Sequence, residues 1–262
     1  MAAKGLGVGA VWGLLKEARV AAEDVRPLLV SGVLADKLAQ ELGRGGAPGA
    51  VATAGRAADA AVLVRVLAGE PTPGDEAELR AAGRAGVPVI AVQTSGAESG
   101  DVPYVLATDV VVCPPGSGFP VEAILRAVAD RLGEHGTSLA ARLPALREPL
   151  CAALTESFAR KNGILGAAIF VPGADFPVLT LNQLRLVLRI AAAHGVEVDQ
   201  SRLPEIAATV GAGIGLRAAA RRALLSGVPV AGWMVKGAVA YAGTRAVGEA
   251  AQRYFAALAA RP

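Results

Sequence analysis

The loop CPPGSG, residues 113 to 118, places a cysteine at the end of the apolar run ATDVVVC. A thiol becomes a nucleophile when a neighbouring base takes its proton, yet neither His135 nor His194 is placed by the sequence to serve Cys113. A buried structural cysteine between a strand and a proline turn is the competing reading. A second polar loop follows the run VPVIAV, residues 87 to 92, which opens into Gln93, Thr94, Ser95 and Gly96. That is the pattern of a buried parallel strand whose carboxyl end meets a loop, the place where open α/β sheets bind ligands. With only Cys113, Cys151, His135 and His194 in the chain, neither a disulfide framework nor a metal-ligand cluster is expected.

The elements that must carry these loops follow from periodicity. From Arg26 to about Leu132 short apolar runs alternate with helical patterns. Strands are predicted at PLLVSG (27–32), GAVATAG, DAAVLVRVLAG (59–69), VPVIAV and ATDVVVC. Helices are predicted at VLADKLAQEL (33–42), at PGDEAELRAAGRAG (73–86), where Pro73 and acids fill the first turn, and at FPVEAILRAVADRL. Strands alternating with helices of this length predict a parallel sheet covered on both faces. After Thr137 only helical patterns remain: one or two in SLAARLPALREPLCAALTESFARKNG, then DFPVLTLNQLRLVLRIAAAHG, SRLPEIAATVGAGIGLRAAARRALLSG from Ser201, and WMVKGAVAYAGTRAVGEAAQRYFAALAA. In the second of these, Leu181, Leu184 and Leu188 share one face and Asn182, Arg185 and Arg189 another. The expected organisation is an amphipathic leading helix (1–25), an α/β domain (26–135) and an all-α domain (136–262).

The 262 residues are 53% hydrophobic and only 4% aromatic, so the core is built from Ala, Val and Leu. Charges interrupt every apolar run, so no spanning helix is expected, and the N-terminus shows no cleavage site; a cytoplasmic chain is expected. Residues 1–143 carry 13 Lys/Arg against 16 Asp/Glu, whereas 144–262 carry 13 against 7. The basic half reads either as solvated helix faces or as attraction to an anionic membrane or acidic partner. Arg221–Arg222 is too short a basic run, and aromatics too few, for nucleic acid to be expected. Gly211, Gly213 and Gly215, and later Gly237, Gly243 and Gly248, interrupt helical patterns at about 0.5–1 kcal/mol each relative to Ala. Close approach of helices is the expected compensation, whether in a membrane or in tight soluble packing.

The stretch AADAAVLVRVLAGEPTPGDEAELRAAGRAGVPVIAVQTSG resembles the central part of Era-like bacterial GTPases over a frame of about 110 residues. The resemblance implies a phosphate-binding loop after the first strand, where glycines let backbone N–H groups wrap phosphate and Lys with a hydroxyl holds phosphate and Mg²⁺. The matching window, SGVLADKL, has Ser31 and Asp36 in place of the two glycines, keeps Lys37, and has Leu38 in place of the hydroxyl. The Asp-x-x-Gly motif falls on Ala52 to Gly55 and has lost its acid; the base-reading motif falls on Gln93, Thr94, Ser95 and Gly96, without lysine or carboxylate. The last motif meets Val112, Cys113 and Pro114, then Gly116 to Gly118. Residues 160–255 resemble the YcjF-type domain of unknown function through Pro172, Asp175, Thr180, Asn182, Gln183, Gly211, Pro229, Gly232 and Lys236, and members of that type are often membrane-associated.

The expectation is a doubly covered parallel α/β domain of degenerate P-loop GTPase type followed by helices. The function expected is a non-catalytic pseudo-GTPase adaptor or scaffold without cofactor, whose helical part meets an anionic membrane surface, a second copy or another protein. Its vestigial nucleotide positions are Ser31, Asp36, Lys37, Leu38, Ala52, Gly55, Gln93, Thr94 and Gly96. The location expected is cytoplasmic, at the inner face of the membrane. The alternative is a GTP-binding protein or GTPase with divergent motifs.

Overall fold

The computed structural model describes residues 8–94, 101–168, 175–197 and 232–259. The chain divides into two compact units, Glu23–Leu150 and the pair of segments Met1–Ala22 and Cys151–Pro262. The predicted helix from Ser201, with Gly211, Gly213, Gly215 and Pro229, lies outside the described residues, as do Pro172, Ser95 and Gly96.

The first unit is built on five parallel strands: β1 (Leu28–Gly32), β2 (Val51–Ala52), β3 (Val62–Leu67), β4 (Val89–Gln93) and β5 (Val110–Val112), in the order β2-β1-β3-β4-β5. Helices α2 (Ala35–Leu42), α3 (Pro73–Arg84) and α4 (Val121–Leu132) pack on it. Because successive strand side chains alternate between faces, Leu29, Leu63, Leu67, Val89 and Ala91 meet Leu79 and Ala82 of α3 in one buried cluster. The intervening Leu28, Val30, Val64, Ile90 and Val92 are fully buried on the other face, as are Leu38 and Leu42 of α2 and Ile124 and Val128 of α4. Strand β3 is shorter than its apolar run, because Ala57–Asp59 forms a 3₁₀ turn ahead of it; likewise Ala107–Asp109 of ATDVVVC is 3₁₀. Helix α3 begins with a capping box: Thr72 Oγ1 accepts from Asp75 N at 3.2 Å while Asp75 Oδ2 accepts from Thr72 N at 2.8 Å.

Short helix α5 (Thr137–Arg142) leads into the long α6 (Pro144–Ala168), so the segment SLAAR…RKNG makes two helices. The helical unit assembles α6 from Cys151 onward with α1 (Val8–Ala22), α7 (Asp175–Ala193) and α8 (Gly232–Ala259), around Leu154, Phe158, Leu186, Ile190, Val247 and Phe255. Its glycines sit where helices touch. A Cβ on Gly237 would stand 2.9 Å from Gly163 O, and one on Gly166 would stand 2.8 Å from the Ala240 Cβ. On Gly248 it would stand 2.3 Å from Thr155 Oγ1. Close approach of α6 and α8 therefore offsets the propensity cost of glycines in these helices.

The polar face predicted for α7 is not a solvent face. Arg189 is buried, Asn182 Nδ2 donates to Asn162 Oδ1 at 2.9 Å, and Gln183 Nε2 donates to Thr244 Oγ1 at 3.2 Å. Asn162 Nδ2 also donates to Thr244 Oγ1, at 2.8 Å, and that hydroxyl in turn donates to Ala240 O at 2.9 Å. Helical spacing placed Asn182 with Arg185 and Arg189, but the partners on other helices, and the part played by Gln183, were out of reach of a periodicity argument.

Two Gly→Ala changes inside helices should therefore have opposite signs. Gly83→Ala meets nothing within 4 Å and should stabilise by about 0.5–1 kcal/mol through helix propensity. Gly248→Ala, forced against Thr155, should destabilise by about 1–3 kcal/mol. Thermal melts of the two variants beside the parent check both signs.

Candidate functional site

The candidate site is the carboxyl end of the sheet. The strand order changes direction between β1 and β3, and it is outside such a switch point that doubly wound sheets hold their ligands.

The β1–α2 connection decides what this end can do. Strand β1 ends at Gly32 and α2 starts at Ala35, leaving only Val33 and Leu34 between them. Gly32 has φ 97°, and a Cβ there would lie 2.1 Å from Val66 O, so the turn is folded directly onto the end of β3. Val33 N–H donates to that same carbonyl at 3.1 Å. Leu34 is held at φ 54°, a left-handed conformation costly for a leucine, and it enters α2 without a side-chain cap. Val33 and Leu34 are both exposed, 42% and 58%. The turn therefore presents an apolar two-residue tip where a phosphate loop presents a longer glycine-rich wrap of backbone N–H groups.

The predicted positions divide around it. Ser31 lies in β1, paired with Arg65 of β3, and its buried Oγ has no hydrogen-bond partner among the described residues. Asp36 and Lys37 project from the first turn of α2 into solvent. Leu38 is fully buried, so at the position where the motif needs a Mg²⁺-binding hydroxyl the side chain belongs to the core. Ala52 ends β2, half-buried, and Gly55 follows exposed at φ 142°. Gln93 closes β4, only 4% exposed, and its Oε1 has no partner among the described residues. Thr94 turns its N–H and Oγ1 onto Leu67 O, at 3.0 and 3.1 Å. Gly96 lies outside the described residues.

The structure thus brings Ser31 beside β3 and fixes Gln93 and Thr94 at the end of β4, with Gln93 in register with Leu67. Sequence reasoning missed Arg65, which stands on β3 between Ser31 and Ala91. Those small neighbours leave its side chain room to reach α3. Arg65 Nε donates to Asp75 Oδ1 at 2.8 Å, and the guanidinium also pairs with Glu78. Burial alone would raise the Asp75 pKa, but hydrogen bonds from the Thr72 hydroxyl and N–H, with Arg65 behind them, hold it below the ordinary value. A charged residue interrupting VLVRVL was the available signal.

Cys113 is buried, its N–H donating to Gln93 O at 2.8 Å, and burial pushes its thiol pKa up. A protonated, enclosed thiol is a poor nucleophile. Ser117 folds the loop back on itself, its Oγ donating to Pro114 O at 2.7 Å. Among the described residues no group of His, Cys, Asp and Glu is arranged to hold a metal ion.

The helical unit has two features open to solvent. An apolar groove of about 610 Å³ runs along Gly163, Ile164, Gly237, Ala238 and Tyr241, with Ile164 70% exposed. On α1, Trp12 is 53% exposed, while Glu17 accepts from Arg189 at 2.5 Å and also pairs with Arg185. The Arg185 hydrogen bond, reinforced by both guanidinium charges, holds the Glu17 carboxyl below its usual range although burial works the other way.

Two outcomes follow from this geometry. Asp75→Asn should cost about 1–3 kcal/mol at neutral pH by leaving Arg65 with Glu78 alone of its two carboxylate partners. A carboxyl with a depressed folded pKa contributes stability above its unfolded value, near 3.8, and loses it as the pH falls through the lower folded value. The gap between parent and variant in urea melts should therefore close in acid. Cys113 and Cys151, both buried, should react with a disulfide reagent in native buffer far more slowly than after denaturation; prompt native labelling of Cys113 would contradict the enclosed thiol.

No protein-family model, curated protein or solved structure matches the chain.

Proposed function

We propose that the chain is a non-catalytic adaptor: a pseudo-GTPase sheet joined to a YcjF-like helical part that associates with a membrane surface or with a second copy. The observation that carries this reading is the β1–α2 turn. Its two residues are apolar, Val33 N–H is engaged by Val66 O, and Leu38 lies in the core. A phosphate would find there no hydroxyl and no glycine-rich wrap, and Asp36 stands in the first turn of α2 beside the place it would occupy. Gln93, at the base-reading position, is enclosed at the end of β4, and no carboxylate accompanies it in QTSG. The association half of the reading is supported by the exposed Trp12 and Ile164. No helix among the described residues is long and apolar enough to cross a membrane. The association proposed is peripheral, at the inner face of a cytoplasmic membrane.

Thermal-shift measurements with GTP, GDP and ATP, each with and without Mg²⁺, test the nucleotide half. A flat response is expected. A clear rise in melting temperature with GTP, removed by Lys37→Ala, would overturn the reading in favour of a GTP-binding protein with divergent motifs.

A further inference from the structure

Helix α1 carries three charged residues, Lys16, Glu17 and Arg19, and the fold sorts them by sign. Its one acid is held by α7, where Arg185 and Arg189 close on the Glu17 carboxylate, and Leu15 is buried beside it. Both cations are left outside: Lys16 and Arg19 are exposed and make no ion pair among the described residues. Trp12, Lys16 and Val20 follow one another at i, i+4 and i+8, with Trp12 53% and Val20 60% exposed. Trp12, Gly13, Leu15, Lys16 and Arg19 together border a shallow cleft of about 230 Å³.

We infer that the outward face of α1, Trp12 with Lys16, Arg19 and Val20, docks on an anionic lipid bilayer. This deepens the proposed function and rests on its membrane half. An exposed indole flanked by cations suits the headgroup region, where the ring sits at the polar–apolar boundary and lysine or arginine meets lipid phosphate. The charge sorting is what favours lipid over a protein groove. The Glu17 carboxylate, 40% exposed, is neutralised by Arg185 and Arg189, so the charges of α1 left without an ion pair among the described residues are the cations Lys16 and Arg19, which suit anionic headgroups and not a basic partner. The same Glu17 contact keeps the helix oriented, so the cationic face is presented without any rearrangement.

Flotation of the full chain with phosphatidylcholine–phosphatidylglycerol vesicles, against phosphatidylcholine alone, tests the inference. The chain should float with the anionic vesicles only. Lys16→Gln with Arg19→Gln should weaken partitioning about thirtyfold, from the attraction of each cation to an anionic surface, and Trp12→Ala should weaken it further. In a Trp233→Phe chain, which leaves Trp12 as the one indole, emission should shift to the blue on binding and be quenched by bromine-labelled lipid. That reading needs no change on α1 and stands even if the glutamine variant folds poorly. Undiminished flotation of the double variant, or binding without quenching of Trp12, overturns the assignment to α1 and leaves the proposed function in place. Absence of flotation by the parent chain removes both this inference and the membrane half of that function. Conversion of a lipid-free dimer into monomers by Trp12→Ala, read by sedimentation, overturns the inference by assigning the face to self-association.

Discussion

The close approach of Gly32 to Val66 O governs the sheet unit. It lets β1 end against β3 with no side chain between them, and it turns the chain into α2 within two residues. Once α2 starts at Ala35, its register is set: Leu38 and Leu42 fall on the sheet side, Asp36 and Lys37 on the solvent side. A wider loop would have shifted that register. The short β1–α2 turn and the packing of α2 are therefore one constraint seen from two sides. The same tight turn forces Leu34 into a left-handed conformation and leaves two apolar side chains in water.

Much of this unit was legible in the sequence because its signals are local. Alternation and apolar runs gave all five strands, and Pro73 with its following acids marked the start of α3. Boundaries were less legible ahead of Val62 and Val110, where Ala-Ala-Asp and Ala-Thr-Asp, adjoining the apolar runs, form 3₁₀ turns. The site was legible only as a set of positions. That Leu38 is core follows from its apolar character, but that Val33 N–H is engaged depends on where β3 ends, which lies more than thirty residues away. Arg65 and Asp75 are ten residues apart and come together because the crossover from β3 to the parallel β4 lays α3 over β3.

The helical unit makes the same point with polar residues. Periodicity put Asn182, Arg185 and Arg189 on one stripe of α7, and a stripe of that kind is ordinarily wet. Here each of the three finds a partner on another helix, Asn162 of α6 for Asn182 and Glu17 of α1 for Arg185 and Arg189. The interior glycines had several explanations open to them in the sequence. Of these glycines, Gly237 and Gly248 are accounted for by contact between α6 and α8, and such contact needs no lipid to explain it.

The Thr244 hydroxyl accepts from Asn162 and Gln183 while donating to Ala240 O, so three helices share one oxygen atom. A wholly apolar interface of glycine and alanine is smooth, and helices across it slide or rotate with little change in energy. Anchoring all three to a single hydroxyl removes that freedom: moving any one of them by a residue breaks bonds to the other two and strands buried amides. Any rearrangement of α6, α7 and α8 must therefore carry them together as a block, so displacement applied to one helix is passed to its neighbours instead of being absorbed between them.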